Sequence, residues 1–166
     1  MVLEEIAATL RASIKHTRFD IQVDAPAGIL LDSYPGPLGQ VVVNLVNNAI
    51  VNGFAERSEG SIRITGRPGA EATVQLSIED DGRGILAEHL PRIYDRFFTT
   101  RLGQGGSGLG LNIVHTLVKG IMGGDIAVAS TLGKGTRFDI LLPANAPKKS
   151  PETGPSSGDQ LTVQAA

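Results

Sequence analysis

Two asparagines stand four positions apart in the stretch NLVNNA, at Asn44 and Asn48. On a helix this spacing places both side chains on one face. Amide oxygens are hard ligands that suit Mg²⁺, which keeps several waters and takes few protein ligands beside substrate phosphates. A single asparagine in such a position is more often a hydrogen-bonded structural residue. The pair, close to an acidic turn, favours a metal–phosphate site in which the two amide oxygens are candidate ligands.

The acidic turn is EDDGRGI, residues 79–85, in which Asp80 closes an alternating strand and Gly82 and Gly84 follow. Aspartate and glycine are common turn residues, so a plain turn is one interpretation. The functional interpretation is that Asp80 accepts a hydrogen bond from the exocyclic amine of adenine while the glycines let the base approach the backbone. The pattern alone is a weak signal for either.

A glycine-rich stretch, QGGSGLGL at residues 104–111, leads into a predicted helix. The first N–H groups of a helix are unpaired and its dipole favours anions, so this stretch is either a phosphate-binding loop or a slack connector. It matches neither the P-loop pattern nor the dinucleotide-binding fingerprint. Upstream, Phe97 and Phe98 lie in a polar, aperiodic stretch, where they either anchor a loop on the core or latch a mobile lid.

Hydrophobic periodicity predicts the elements that position these residues. Helices are expected over 2–15, 38–54 and 108–121, with a short one near 87–93 and with YPGP (34–37) as a turn that can start a helix. The helix over 108–121 is apolar nearly all round, which predicts burial. Strands are expected at 19–24, 29–32, 61–66, 73–80, 125–130 and 135–143, with a hairpin across RPGAEA. This order predicts an α/β (α+β) two-layer sandwich, with a mixed, mostly antiparallel sheet and helices on one face.

Composition narrows the class of protein. A chain of 166 residues suits one domain, expected over 1–143. Four of the nine prolines lie within 143–155, so 144–166 is predicted to be a disordered tail or linker. The 15 lysines and arginines form no basic run beyond Lys148-Lys149, which argues against nucleic-acid binding. The chain has no cysteine and no stretch long enough to span a bilayer. The default expectation is a cytoplasmic protein, or the cytoplasmic part of a membrane-anchored sensor, with no direct membrane contact in this segment.

The motifs together, in this order, closely resemble the ATP-binding catalytic domain of sensor histidine kinases. That domain has the Bergerat fold of a superfamily that includes DNA gyrase, the mismatch-repair ATPases and the large heat-shock chaperone. The resemblance covers roughly residues 1–143. The matching segments are NLVNNA (44–49), DDGRG (80–84), RFFTT (96–100), GGSGLGL (105–111) and GKGT (133–136).

The resemblance implies ATP and Mg²⁺ as the bound groups. Asn48 would coordinate Mg²⁺ bridging the triphosphate, with Asn44 beside it. Asp80 would bind the adenine amine, and Thr136 would lie near the adenine end with Gly82 and Gly84. Residues 94–110 would form the ATP lid, whose candidate nucleotide-binding residues are Phe97, Phe98, Arg101, Gly106, Ser107, Gly108, Leu109 and Gly110.

The residue type at position 44 separates two classes of enzyme within the resemblance. The hydrolysing branches carry a glutamate here that activates water, whereas the amide of Asn44 cannot act as a general base. ATP would therefore be held for an external nucleophile, the histidine of a dimerisation and phosphoacceptor domain that passes phosphate to a response regulator. None of His16, His89 and His115 fits the acceptor pattern, so packing or surface roles are expected for them.

One departure from the family pattern is Val51, where many members carry a basic residue three positions after the second asparagine. A basic contact to the phosphates would then come from Arg96 or Arg101. Two alternatives stay open at this point. One is a serine kinase of the anti-sigma-factor type, which shares the fold, and the other is a non-catalytic nucleotide-sensing module.

Overall fold

A single five-stranded sheet organises the computed structural model of this chain, which describes residues 2–25, 35–98 and 110–144. The strands follow the order β1-β2-β3-β5-β4. β1 and β2 are parallel and every other neighbouring pair is antiparallel, so the sheet is mixed and mostly antiparallel. The strands are β1 (Arg18–Asp24), β2 (Glu59–Pro68), β3 (Thr73–Asp80), β4 (Asp125–Thr131) and β5 (Gly135–Pro143).

Alternation along each strand fixes which face of the sheet is buried. In β2, Ile62 and Ile64 are fully buried while Arg63 between them is exposed. Ile64 pairs with Ile78 of β3, and Asp80 at the end of β3 pairs with Thr136 of β5. The register therefore places Asp80 on the buried face of the sheet, at the C-terminal end of the central strand.

Three helices supply the second layer of the sandwich: α1 (Val2–Ser13), α2 (Pro35–Asn48) and α3 (Gly110–Thr116). α2 begins at Pro35, since proline is tolerated in the first turn of a helix. Its apolar positions recur at helical spacing and form the centre of the core. The buried residues of α2 are Leu38, Val41, Val42, Leu45 and Val46.

Both α2 and α3 end in a π-helical turn, at Ala49–Gly53 and Leu117–Ile121. In each case the following backbone N–H bonds back five residues, from Phe54 to the carbonyl of Ala49 at 2.8 Å and from Met122 to that of Leu117 at 2.9 Å. A π turn accommodates one more residue than an α turn and is often found at functional sites.

Most elements predicted from the periodicity are confirmed, including the hairpin between β2 and β3 and the two-layer sandwich with its mixed sheet. The short helix near 87–93 is a single 3-10 turn at Leu90–Arg92. The strand expected at 29–32 lies outside the described residues, as does the predicted tail after Ala144. Among the described residues, no helix is both long and apolar enough to cross a bilayer.

The prediction that the helix over 108–121 is buried all round is wrong. Val114 and Val118 are fully buried, but Ile113 is 39% exposed and Ile121 is 44% exposed. An apolar pattern does not specify how many sides of a helix have a neighbour, and here the sheet and α2 cover one side.

This difference in burial predicts unequal effects of two neighbouring truncations. Met122→Ala removes a side chain that is 1% exposed, and we expect it to lower the free energy of unfolding by about 2–4 kcal/mol through the cavity it leaves. Ile121→Ala removes a side chain that is already half in water, and we expect a loss below about 1 kcal/mol. Urea unfolding of the two variants measures both values, and equal losses would contradict the assignment.

Candidate functional site

The carboxylate of Asp80 is the buried charge around which the candidate site is built. It stands at the end of β3, is 7% exposed, and its Oδ1 accepts a hydrogen bond from the backbone N–H of Gly82 at 2.8 Å. Thr136, its neighbour on β5, is 6% exposed. The sequence prediction that these residues lie together therefore agrees with their positions.

Burial raises the pKa of the Asp80 carboxyl above its ordinary value, and the neighbouring Asp81 carboxylate acts in the same direction. The backbone N–H groups of Gly82 and Thr136 and the guanidinium of Arg57 oppose the rise but do not cancel it. Asp80 is thus a buried carboxylate with a perturbed pKa, which makes it a candidate to accept an N–H donor from a ligand.

Two glycines of the DDGRG segment are needed for the shape of the turn. A Cβ on Gly82 would lie 2.6 Å from the carbonyl oxygen of Gly53 and 2.7 Å from Oδ1 of Asp80, so any larger residue would displace the carboxylate. Gly84 has φ +75°, and its backbone packs directly against the carbonyl of Thr131 at the end of β4. The turn therefore passes between α2 and the β4–β5 connection.

A hydroxyl pair on β4 and β5 secures the other side of this turn. Ser130 Oγ accepts from the N–H of Ile85 at 2.8 Å and donates to the carbonyl of Gly135 at 2.9 Å. It also lies 2.9 Å from Oγ1 of Thr136, a candidate residue from the sequence. Sequence reasoning missed Ser130, because its partner Ile85 is 45 positions away.

Four amide side chains form a row along α2 and the π turn that follows it, and we call them the amide row. Gln40 Nε2 donates to Asn44 Oδ1 at 2.7 Å, and Asn52 Nδ2 donates to Asn48 Oδ1 at 2.8 Å. Asn44 Nδ2 in turn donates to the carbonyl of Gly110 at 3.3 Å, which joins α2 to the start of α3. The sequence pointed to Asn44 and Asn48 but missed Gln40 and Asn52, although all four recur at intervals of four.

Gly53 connects the amide row to the buried carboxylate. It closes the π turn directly after Asn52, and its carbonyl oxygen accepts from the N–H of Arg83 at 2.9 Å. A Cβ at this position would lie 3.0 Å from Oδ1 of Asp80. The backbone at Gly53 thus lies against Asp80 because it carries no side chain.

The Phe97–Phe98 pair is divided between two environments. Phe98 is partly buried, with the Arg92 guanidinium 4.6 Å from its ring centroid and the His89 ring at 5.6 Å. Phe97 is 62% exposed and has φ +65°, an uncommon backbone conformation for a bulky residue. Only Phe98 therefore anchors the segment, while Phe97 projects beside the guanidinium of Arg96, 5.2 Å from its ring centroid.

The side chain of His115 packs against Tyr94, in line with the packing role expected for it. Its ring lies 4.9 Å from the ring of Tyr94, and burial raises the pKa of the Tyr94 hydroxyl to about 12. Gly110 is the first residue of α3 and contacts Asn44 through its carbonyl. The remaining lid candidates lie outside the described residues: Arg101, Gly106, Ser107, Gly108 and Leu109.

The donor set indicates what the site can hold. A buried carboxylate bounded by backbone at Gly53 and Gly82 suits a flat group that presents an N–H donor. The amide oxygens of Asn44 and Asn48 suit Mg²⁺ when phosphates and waters complete its ligand set. No cluster of three or more His, Asp or Glu side chains that could hold a metal occurs in the described ranges.

Comparison with known proteins supports the resemblance that the motifs suggested. Residues 34–146 match the sequence family described as Histidine kinase-, DNA gyrase B-, and HSP90-like ATPase. Sensor histidine kinase ZraS of Escherichia coli O157:H7 is 39% identical over 143 residues, which cover 86% of this chain and 28% of ZraS. Sensor kinase CckA of Brucella abortus is 34% identical over 143 residues, covering 79% of this chain and 15% of CckA. The chain thus spans well under a third of the length of these relatives.

Solved structures share the fold. The catalytic domain of histidine kinase ThkA superposes with a TM-score of 0.74 at 26% identity, covering 87% of this chain and 91% of that one. Full-length ShkA in complex with AMPPNP superposes with a TM-score of 0.70 at 26% identity, covering 88% of this chain and 30% of that one. The sandwich predicted from the element order is confirmed by these neighbours.

The raised pKa of Asp80 predicts a stability that depends on pH. The folded protein binds the proton of the Asp80 carboxyl more tightly than the unfolded chain does, in which this carboxyl has a pKa of 3.8. The contribution of this carboxyl to the free energy of unfolding is therefore fully present below pH 3.8. It is lost as the pH rises through the pKa that the carboxyl has in the folded protein. We therefore expect Asp80→Asn to be more stable than the unmodified protein at neutral pH, with the difference shrinking in acid.

Urea unfolding between pH 3 and pH 8 tests this expectation. Asp20→Asn on the exposed side of β1 is the control, because it removes a surface charge without altering burial. A stability difference for Asp80→Asn that does not change with pH would show that burial does not raise the pKa of this carboxyl in the fold.

The two glycines within π turns predict opposite effects of an added methyl group. Nothing lies within 4 Å of a Cβ on Gly120, so Gly120→Ala should stabilise the protein by up to about 1 kcal/mol through helix propensity. Gly53→Ala should give no such gain, because its methyl group would lie 3.0 Å from Asp80 Oδ1. Thermal unfolding of both variants is the measurement, and an equal gain would mean that the Gly53 contact is easily relieved.

Proposed function

Because this chain belongs to the family of histidine kinase-, DNA gyrase B- and HSP90-like ATPases, we propose that residues 1–143 form the ATP-binding catalytic domain of a sensor histidine kinase. The domain holds ATP so that its γ-phosphate passes to a histidine on a separate phosphoacceptor domain. The observation that carries this proposal is the position of the buried Asp80 carboxylate next to Gly53, with the amide row of α2 leading away from it.

We assign the adenine end of the nucleotide to the region where β3 ends and β5 begins. Asp80 accepts from the exocyclic amine of adenine, and the burial of its carboxylate next to the backbone of Gly53 and Gly82 supports this assignment. Gly82 and Gly84 shape the turn that faces the base, and Thr136 with Ser130 holds that turn in place. An adenine that donates to Asp80 relieves the cost of burying the carboxylate, which supplies both affinity and specificity.

The phosphate end is assigned to the amide row and the lid. Asn48, with Asn44 beside it, holds Mg²⁺, which when bound neutralises phosphate charge and orients the triphosphate. The lid contacts are carried over from the resemblance, as are Phe97, Phe98 and Arg101. They include Gly106, Ser107, Gly108, Leu109 and Gly110. With Val51 in place of a basic residue, Arg101 or Arg96 supplies the positive charge near the phosphates.

Asn44 accounts for transfer rather than hydrolysis. Its amide is already engaged with Gln40 and with the carbonyl of Gly110, and it has no basic lone pair that could take a proton from water. Water attack is therefore slow, and the bound ATP awaits an imidazole that arrives with its own nucleophilic nitrogen.

The proposal includes partners and a location. The acceptor histidine lies on a dimerisation domain, which then serves a response regulator, as in the two-component systems to which such sensor kinases belong. A domain that uses ATP works on the cytoplasmic side, and residues 144–166 act as a tail or linker. Because the curated relatives cited above are sensor kinases, the serine-kinase alternative is not favoured.

Mixing the chain with ATP, Mg²⁺ and a separately prepared acceptor-helix domain from a sensor histidine kinase such as ZraS tests the proposal. We expect acid-labile phosphate on a histidine of the acceptor, and ATP hydrolysis by the chain alone to be at least about 100-fold slower than in the hydrolysing branches, as loss of a general base predicts. Asp80→Asn should abolish both nucleotide binding and labelling, while Asp20→Asn should retain both. Nucleotide binding without any labelling would favour the nucleotide-sensing module.

A further inference from the structure

We propose that Asn52 is a positioning residue for Asn48, one that holds the amide oxygen of Asn48 in the orientation that a cation requires. This inference rests on the proposed function, since it concerns how Asn48 meets Mg²⁺. It adds to that function a residue that the sequence motifs do not include. Asn52 lies within the π turn that follows α2, one position before Gly53.

The contact itself is short and sheltered. Asn52 Nδ2 donates to Asn48 Oδ1 at 2.8 Å, and the pair is partly buried. A carbonyl oxygen has two lone pairs. One of those on Asn48 Oδ1 is occupied by Asn52, and the other remains for a second partner. The hydrogen bond therefore constrains the amide without consuming its capacity to ligate.

Such a constraint is needed because the oxygen and the NH₂ group of a side-chain amide have nearly the same shape. The terminal torsion of asparagine is broad and roughly two-fold, so its oxygen and its NH₂ group can exchange places at little cost. An NH₂ group turned toward a cation cannot ligate it and repels it. A donor 2.8 Å from the oxygen favours the ligating orientation, because a flip of the Asn48 amide alone would set two NH₂ groups against each other.

The backbone next to Asn52 is held in place by contacts with Asp80 and Arg83. Gly53 follows it directly, packs against Asp80 and accepts a hydrogen bond from the N–H of Arg83. The backbone next to the donor is therefore held in place before any ligand binds. The analogous pair of Gln40 and Asn44 is exposed, so water competes for its hydrogen bond and its effect on orientation is weaker.

The experiment measures the affinity for ADP twice, once with Mg²⁺ in excess and once with EDTA, for four proteins. These are the unmodified chain, Asn52→Ala, Asn52→Gln and Asn47→Ala, whose residue is an exposed asparagine on the same helix. ADP is used because it cannot transfer a γ-phosphate, so calorimetry reports binding alone.

We expect Mg²⁺ to tighten ADP binding by the unmodified chain and by Asn47→Ala to the same extent. In Asn52→Ala the gain from Mg²⁺ should shrink by about fivefold, the value of one sheltered hydrogen bond, while the affinity in EDTA stays unchanged. Asn52→Gln retains an amide donor that can reach back one turn, so it should restore much of the gain.

Each other outcome overturns the inference in a recognisable way. An unreduced Mg²⁺ gain in Asn52→Ala would show that Asn48 orients itself, with the proposed function intact. Equal losses with Mg²⁺ and with EDTA in both Asn52 variants would assign Asn52 a merely structural role. If the unmodified chain binds ADP but gains nothing from Mg²⁺, the role of Asn48 fails and that of Asn52 with it. Absence of ADP binding by the unmodified chain would refute the proposed function itself.

Discussion

The burial of one carboxylate constrains the rest of the site. Asp80 cannot be moved into solvent without breaking the register of β3 with β5. The backbone at Gly53 and Gly82 approaches the carboxylate closely because neither residue carries a side chain. The apolar core beneath it, with Ile62, Ile64 and Ile78 on the same face of the sheet, holds the strand that positions this carboxylate.

α2 joins the core to the chemistry. One side of this helix packs its aliphatic residues against the sheet, while the amide row lies along another. Because a close-packed core resists displacement, the amides are set on a rigid support rather than on a loop. The contact of Asn44 with Gly110 extends this support to the first residue of α3.

The sequence predicted the parts that depend on local pattern. Strict alternation located β2, β3 and β5, and the four-residue spacing placed Asn44 and Asn48 on one face. It failed where the outcome depends on distant contacts. The exposure of Ile113 depends on which neighbours its helix has. Phe97 and Phe98 have different environments because Phe97 has a left-handed backbone conformation. The close packing at Gly53 depends on Asp80, which lies 27 positions later in the chain. None of these is encoded in a short window of residues.

The π turn at Ala49–Gly53 also makes the length of the chain between Asn48 and Gly53 a functional quantity. Removing one residue from this segment would restore an ordinary α-helix and rotate whatever follows by about 100°. Gly53 would then no longer face Asp80, although every residue type in the site would still be present. Insertions and deletions within this one turn are therefore more damaging than most substitutions there, because they change the phase of the helix rather than the chemistry of a side chain.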